Sequence, residues 1–302
     1  MKRILNILTV VALSSWLVTG CKKEEKLTAS TTPEPLYSGH TLPQGNHPYD
    51  ADIAQLFQKY NTLFLYKYVP NDLYYNINAY LGGAYDSTKD STTRGGYFDV
   101  PADQAYVGMQ LDLLKEIWLN YYPDSLLKQG LPQKVYLVDS FFAAYPGPGK
   151  PIANMYSYNE VYTGGDYILA TWGGARVQTI SPSDKYVFKG MLNAAFLAFA
   201  HAKGVIKRSS SFTALTDYSA FNYGNYYDYG IIDYFRSTPD ADWDAYVEAI
   251  VSNSYATLTS PGNILDPAVD TQGLIQEKYT IVIAYFKAAF GVDLQAIGNA
   301  GS

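Results

Sequence analysis

The 302-residue chain has a single cysteine, Cys21, and only three histidines, His40, His47 and His201. Disulfide scaffolds, iron–sulfur centres, zinc fingers and thiol–disulfide exchange all need several thiolates or imidazoles, so this inventory excludes them. Charge is scarce too: Asp, Glu, Lys and Arg make up 17% of the residues and balance to −6. A basic nucleic-acid surface is therefore not expected. The chain contains no G-x-x-x-x-G-K-S/T, no G-x-G-x-x-G and no G-x-S-x-G. Phosphate loops, dinucleotide fingerprints and the nucleophile elbow of hydrolases lose their support with them. What is abundant is tyrosine, with 30 residues, while apolar residues reach 48%. Such a chain buries a real core and presents much of its polarity as tyrosine hydroxyl.

The N-terminus reads as an export signal. Lys2 and Arg3 precede an uncharged, mostly apolar stretch over residues 4–18, short for a membrane span and the right length for a signal-peptide core. Leu17-Val18-Thr19-Gly20-Cys21 follows, so the lone cysteine stands where a bacterial lipoprotein signal is cut and lipidated. Residues 1–20 are read as the signal, 21–46 as a lipidated, Thr/Ser/Pro-rich flexible tether, and 47–302 as one folded domain. Lys22-Lys23-Glu24-Glu25-Lys26 resembles the surface-export signal of Bacteroidetes lipoproteins. The expected location is the outer membrane, anchored through lipid on Cys21 and facing the cell exterior.

Periodicity predicts the elements. Ile53, Leu56, Phe57 and Tyr60 recur at helical spacing behind Asp50 as a cap. Residues 62–68 read as a strand, 86–96 as a loop, and 101–123 as a helix opened by Pro101. Val135-Tyr136-Leu137-Val138 and residues 167–172 read as strands, with a Pro/Gly loop over 146–151. Residues 185–203 form a helix whose centre, 190–200, is apolar on nearly every side and belongs in the core. Residues 218–230 are an ordered Tyr/Asn/Gly loop, and helices over 243–256 and 273–290 close the chain. Asp240, Asp242 and Asp244 fail the calcium-loop pattern and are expected to cap the first of these helices. Early strands and late helices predict an α+β domain.

Several segments then carry a resemblance: Asp52 through Phe57, Lys59-Tyr60-Asn61-Thr62, Tyr66-Lys67-Tyr68, Pro132 through Val138, Gly173-Gly174 and residues 278–294. In this order the chain resembles the zinc metallohydrolase lipoproteins found with SusC/SusD-type nutrient importers in Bacteroidetes. The resemblance implies a zincin-like metallopeptidase fold. It also implies a helix in which two histidines one turn apart bind zinc and the intervening glutamate activates water. Here the matching stretch is Met191-Leu192-Asn193-Ala194-Ala195-Phe196-Leu197-Ala198-Phe199-Ala200-His201. Phe196 and His201 align with the family's pattern, whereas both ligand positions, Ala194 and Ala198, and the base position, Ala195, are alanine. A register that sets His201 on a ligand position leaves Leu197 and Ala198 at the other two. The stretch that would supply a third ligand resembles Asp242-Trp243-Asp244-Ala245-Tyr246. His201 and Asp242 remain the weak metal candidates; for His201 a hydrogen-bonded histidine near a helix end is the simpler reading.

The expectation is a surface lipoprotein without catalytic residues and without zinc, acting as a binding or accessory component of an importer. Phe221, Tyr223, Tyr226, Tyr227 and Tyr229 are the candidate contacts for a glycan or peptide, since tyrosine gives rigid amphipathic area at low entropy cost. Two alternatives stay open. One is a hydrolase, a peptidase or glycan-directed, using carboxylates such as Asp217, Asp228, Asp233 or Asp242; the other is a pure scaffold contacting the importer.

Overall fold

The computed structural model describes residues 39–69, 71–74, 96–144 and 156–302. The signal segment, Cys21, most of the tether, the loop over 146–151 and all but Gly96 of the loop read over 86–96 lie outside the described residues; Gly96 itself opens a strand. Contacts divide the chain into Met1–His40 and Thr41–Ser302, and the fold is that of the second unit. Residues 41–46, whose composition suggested the end of the tether, belong to this unit. Gln44 there accepts a hydrogen bond from the Tyr66 amide at 3.0 Å and donates to the Lys67 carbonyl at 2.6 Å.

Helix α1 spans Pro48–Tyr60, with His47 as N-cap and Pro48 in the first turn. Asp50 is not upstream of the helix, as the sequence suggested, but in its first turn. There its carboxylate accepts from the His47 amide at 2.8 Å and from the Tyr66 hydroxyl at 2.9 Å, closing a capping box. Asn61, with φ 57°, ends the helix in the left-handed region. Next come β1 (Leu63–Leu65), the short α2 (Asn71–Tyr74), β2 (Gly96–Pro101), α3 (Val107–Ile117) and α4 (Asp124–Gly130). Pro101 ends a strand rather than opening a helix, so α3 starts later than the proline implied and ends before residue 123.

Strand β3 (Lys134–Ala144) organises the sheet, which is completed by β4 (Tyr156–Tyr158), β5 (Val161–Thr163) and β6 (Tyr167–Ala170). Its first half pairs in parallel with β1 on one side and β6 on the other, and β5 closes the edge antiparallel to β6. Its second half pairs antiparallel with β2 and β4. Parallel strands are buried on both faces, and Val135, Tyr136, Leu137 and Val138 are all fully buried.

Five more helices follow: α5 (Pro182–Ala202), α6 (Ser210–Ala214), α7 (Pro239–Ser252), α8 (Tyr255–Leu258) and α9 (Leu274–Phe290), with a last turn-and-a-half in α10 (Leu294–Asn299). Ser181 and Thr238 cap α5 and α7, each with a proline in the first turn. Thr238 therefore does the work expected of Asp240, Asp242 and Asp244, and α7 begins and ends four residues earlier than read from sequence. Helix α5 packs on α4, α7, β5 and β6. Phe188, Leu192 and Phe196 of α5 share one core with Leu111 and Trp118 near α3, Trp243 and Ile250 of α7, and Val282 and Phe286 of α9. The architecture is α+β, as expected. Among the described residues no helix is long and apolar enough to cross a membrane.

Candidate functional site

Ala194, Ala195 and Ala198 all lie on one face of α5, and each is half-buried. The face continues toward the helix start as Val187 and Met191, which are 48% and 44% exposed. A helix apolar on nearly every side was expected to bury these alanines inside the body or along a closed cleft; they are only partly covered, and Ala194 packs against the core. The fully buried side of α5 is instead that of Phe188, Leu192, Phe196 and Ala200, which faces the core. Asn193, also buried, accepts from the Tyr122 hydroxyl at 2.7 Å and donates to the Ile117 and Lys189 carbonyls, so its polar ends are satisfied.

His201 stands near the end of α5 and is held by α7. Its Nδ1 lies 2.7 Å from Asp244 Oδ1 and its Nε2 3.7 Å from Asp240, which itself binds Arg208 Nε at 2.7 Å. The Asp244 hydrogen bond raises the His201 pKa above the ordinary histidine range, against the opposing effect of burial. A raised folded-state pKa means stability that is complete below the unfolded value, about 6.5, and lost as pH rises through the folded value. Urea midpoints should therefore fall as pH rises above about 6.5, and the fall should vanish in His201→Gln. An unchanged slope in that variant would assign the effect to other groups.

Asp242 is fully buried and turned elsewhere. Two residues apart on a helix is about 200° around its axis, so Asp244 meets α5 while Asp242 meets α9. Its Oδ2 accepts from Lys278 Nζ at 2.6 Å and from the Tyr218 hydroxyl at 2.8 Å. Both members of the pair have no solvent exposure, and the rings of Phe212, Tyr218 and Tyr246 surround the ammonium at 4.5, 5.3 and 5.6 Å. Burial pushes the carboxyl up and the ammonium down, and each is pulled back by its partner. Asp242 Oδ1 has no hydrogen-bond partner among the described residues. The two metal candidates from the sequence, His201 and Asp242, are thus not brought together. Among the described residues no group of three or more His, Cys, Asp or Glu is placed to hold a metal ion. A zinc ion of the resembled kind does not fit these side chains. The two helix positions are methyl groups, and the cation beside Asp242 is a lysine.

No family model matches the chain and no curated protein matches it. A solved structure from Bacteroides caccae, described as a "putative zinc-binding metallo-peptidase", is similar at 12% identity with a TM-score of 0.46, over 85% of this chain and 92% of that one. At that level of likeness the chemistry has to be read from this chain's own residues.

The tyrosine candidates do come together. Tyr226 and Tyr227 have ring centroids 4.4 Å apart, Tyr223 and Tyr226 6.2 Å, and Phe221 and Tyr229 6.1 Å. The hub of the cluster is Tyr234, against which Tyr223, Tyr226 and Phe221 pack at 5.3, 6.0 and 6.4 Å. Phe235 stands edge-on to Tyr234 at 5.6 Å. Tyr234 and Phe235 were not read from sequence, because they follow the apolar Ile231-Ile232 and lie beyond the apparent loop; the aromatic pair itself was the available signal. The base of the cluster is rigid. Tyr218 is tied to Asp242, Thr216 Oγ1 donates to the Tyr229 carbonyl at 2.7 Å, and Tyr246 donates to the Gly230 carbonyl at 2.7 Å. A hydrogen bond to Tyr227 together with burial pushes the Tyr226 phenol up to about 12.

His47 is part of the folded body as well. It stacks on Tyr49 at 4.9 Å, with Nε2 3.0 Å from Gln104 Oε1, beside an open cleft of about 610 Å³ between the starts of α1 and α3. The carboxylates there, Asp52 and Asp112, are shared by Lys115 at 2.6 and 3.6 Å.

Proposed function

We propose that this chain is a lipid-anchored outer-membrane protein on the scaffold of a zinc metallohydrolase that has given up catalysis, retained as a binding or accessory component of a SusC/SusD-type importer. The observation that carries the reading is the replacement of the whole reaction centre. Alanine occupies both ligand positions and the base position of α5, and the carboxylate of the third-ligand segment is neutralised by Lys278. Activating water at zinc takes about three protein ligands, an open fourth position and a proton acceptor. Half-buried alanines are also the cheaper filling once the metal is gone, since orphaned imidazole and carboxylate would be desolvated without a partner. The anchor would be Cys21, and the ligand a glycan or peptide met by the tyrosine cluster. The carboxylate-based hydrolase reading gains nothing from Asp242, which no substrate can reach.

The test uses full-length protein from cells fed labelled palmitate. The chain should carry the label, Cys21→Ala should not, and metal analysis should find no stoichiometric zinc and no metal-dependent peptidase activity. One equivalent of tightly held zinc, with the His201 resonance shifted on loading, would overturn the reading.

A further inference from the structure

The aromatic cluster has a specific chemistry. Seven rings, Phe221, Tyr223, Tyr226, Tyr227, Tyr229, Tyr234 and Phe235, form one connected surface, and two of them are far more open than packing requires: Tyr223 is 67% and Phe235 84% exposed. Leaving a phenylalanine in water forgoes the gain of burying it. Both open rings stand nearly perpendicular to Tyr234, at 87° and 79°, so they are propped upright by a half-buried neighbour. The loop beneath them is held at its end by hydrogen bonds to the Tyr229 and Gly230 carbonyls and at its start by the bond from Tyr218 to Asp242. This surface is built before any ligand arrives, which lowers the entropy cost of binding.

Its polar groups select among ligands. The Asn222 and Asn225 oxygens and Asp233 Oδ1 hold the loop by accepting from the amides of Gly224, Asn222 and Phe235. The Asn222 and Asn225 amide Nδ2 groups and Asp233 Oδ2 take no part in these bonds. Arg236, the cation nearest the cluster in sequence, is taken by Glu248. Donors and acceptors therefore accompany the ring faces, and Arg236, the one Lys or Arg in the described segment 221–236, is ion-paired. An anionic ligand meets Asp217, Asp228 and Asp233 in a chain of charge −6. An aliphatic peptide would have to strip water from five phenols. A neutral saccharide matches on both counts. Its C–H face, slightly positive, lies on the negative face of an aromatic ring, and its hydroxyls each donate and accept.

We propose that the surface formed by Tyr223, Tyr234 and Phe235, with Asn222, Asn225 and Asp233 at its rim, is a binding site for neutral oligosaccharides. This rests on the non-catalytic reading above and names the ligand class for it. The probes are maltohexaose, cellohexaose and mannohexaose, titrated by calorimetry into the full-length protein, with hexagalacturonate and hexalysine as charged comparisons. At least one neutral hexasaccharide should bind, and Tyr223→Ala and Phe235→Ala should each weaken it about ten-fold, the scale of one lost ring contact. Both side chains are exposed, so these variants keep the fold. Tyr255→Ala, at an exposed ring of α8 outside the cluster, should bind unchanged. The proposal is overturned if none of the neutral sugars binds, if binding survives the Tyr223→Ala/Phe235→Ala double variant, or if hexalysine alone binds through these rings. Failure here would leave the zinc and peptidase results standing, so the two readings are separable.

Discussion

Lys278→Met should cost the domain about 3–5 kcal/mol, because it leaves the Asp242 carboxylate buried without its cation. At this chain length that is a fall of roughly 10 °C in Tm. The methionine fills the volume of the lysine stem, so packing contributes little; what is lost is the charge-assisted bond at 2.6 Å and the ring contacts to Phe212, Tyr218 and Tyr246. Adding Asp242→Asn should restore most of the loss, since the neutral amide can still accept from Tyr218. Urea unfolding of the two single variants and the double measures the coupling. Additive losses would show that the pair contributes only as two independent residues.

Gly298→Ala should be comparably damaging. A Cβ at Gly298 would lie 2.1 Å from the Ile250 carbonyl and 2.4 Å from that of Asn253, both main-chain atoms at the end of α7, so α10 would have to move off α7. Overpacking of this kind costs about 3 kcal/mol at the upper end of its usual range. A second loss follows from Lys189. Its buried ammonium donates to the carbonyls of Ile297, Gly298 and Ala300 at 2.5, 3.1 and 2.7 Å, and burial has already pushed its pKa down to about 8. Displacing α10 removes all three acceptors from a group that α5 keeps inside. The variant should melt well below the parent and lose its C-terminal residues early in limited proteolysis. A melting point within a degree or two of the parent would mean that α10 can slide without breaking its contacts.

The sequence announced the elements whose signal is local. The apolar run at 190–200 is a core helix, the helical stripe of Ile275, Tyr279, Ile283 and Phe286 lies in α9 with all but the half-buried Ile283 buried, and residues 167–170 are a fully buried strand. Strand β3 was seen only in part, because Asp139 and Ser140 interrupt its apolar run where its partners change from β1 and β6 to β2 and β4. At the site, the alanines were plain in sequence, as was the wealth of tyrosine around 223–229. The pairing of Asp242 with Lys278 was not. It joins residues 36 apart, and a single lysine inside an apolar stripe gives no sign of which acid it will meet. The opposite outlooks of Asp242 and Asp244 were hidden for the same reason: only the packing of α7 between α5 and α9 decides which acid faces which neighbour.

The double role of β3 also constrains how the chain assembles. Among the described strands, every pairing except that of β5 with β6 includes β3. Its partners come from distant parts of the chain, Leu63 opposite Lys134 and Lys134 opposite Tyr167. The β1 pairing closes a loop of about 70 residues before any of its own contacts repays the cost, whereas β4 and β6 reach β3 over much shorter stretches. Apart from the β5–β6 pair, no piece of the described sheet forms ahead of it: until β3 is laid down, β1, β2 and β4 have no described strand to pair with, and once it is, strands on both sides can zip at once. Such a topology makes folding a slow, single commitment, with one eleven-residue strand as the step through which the rest must pass.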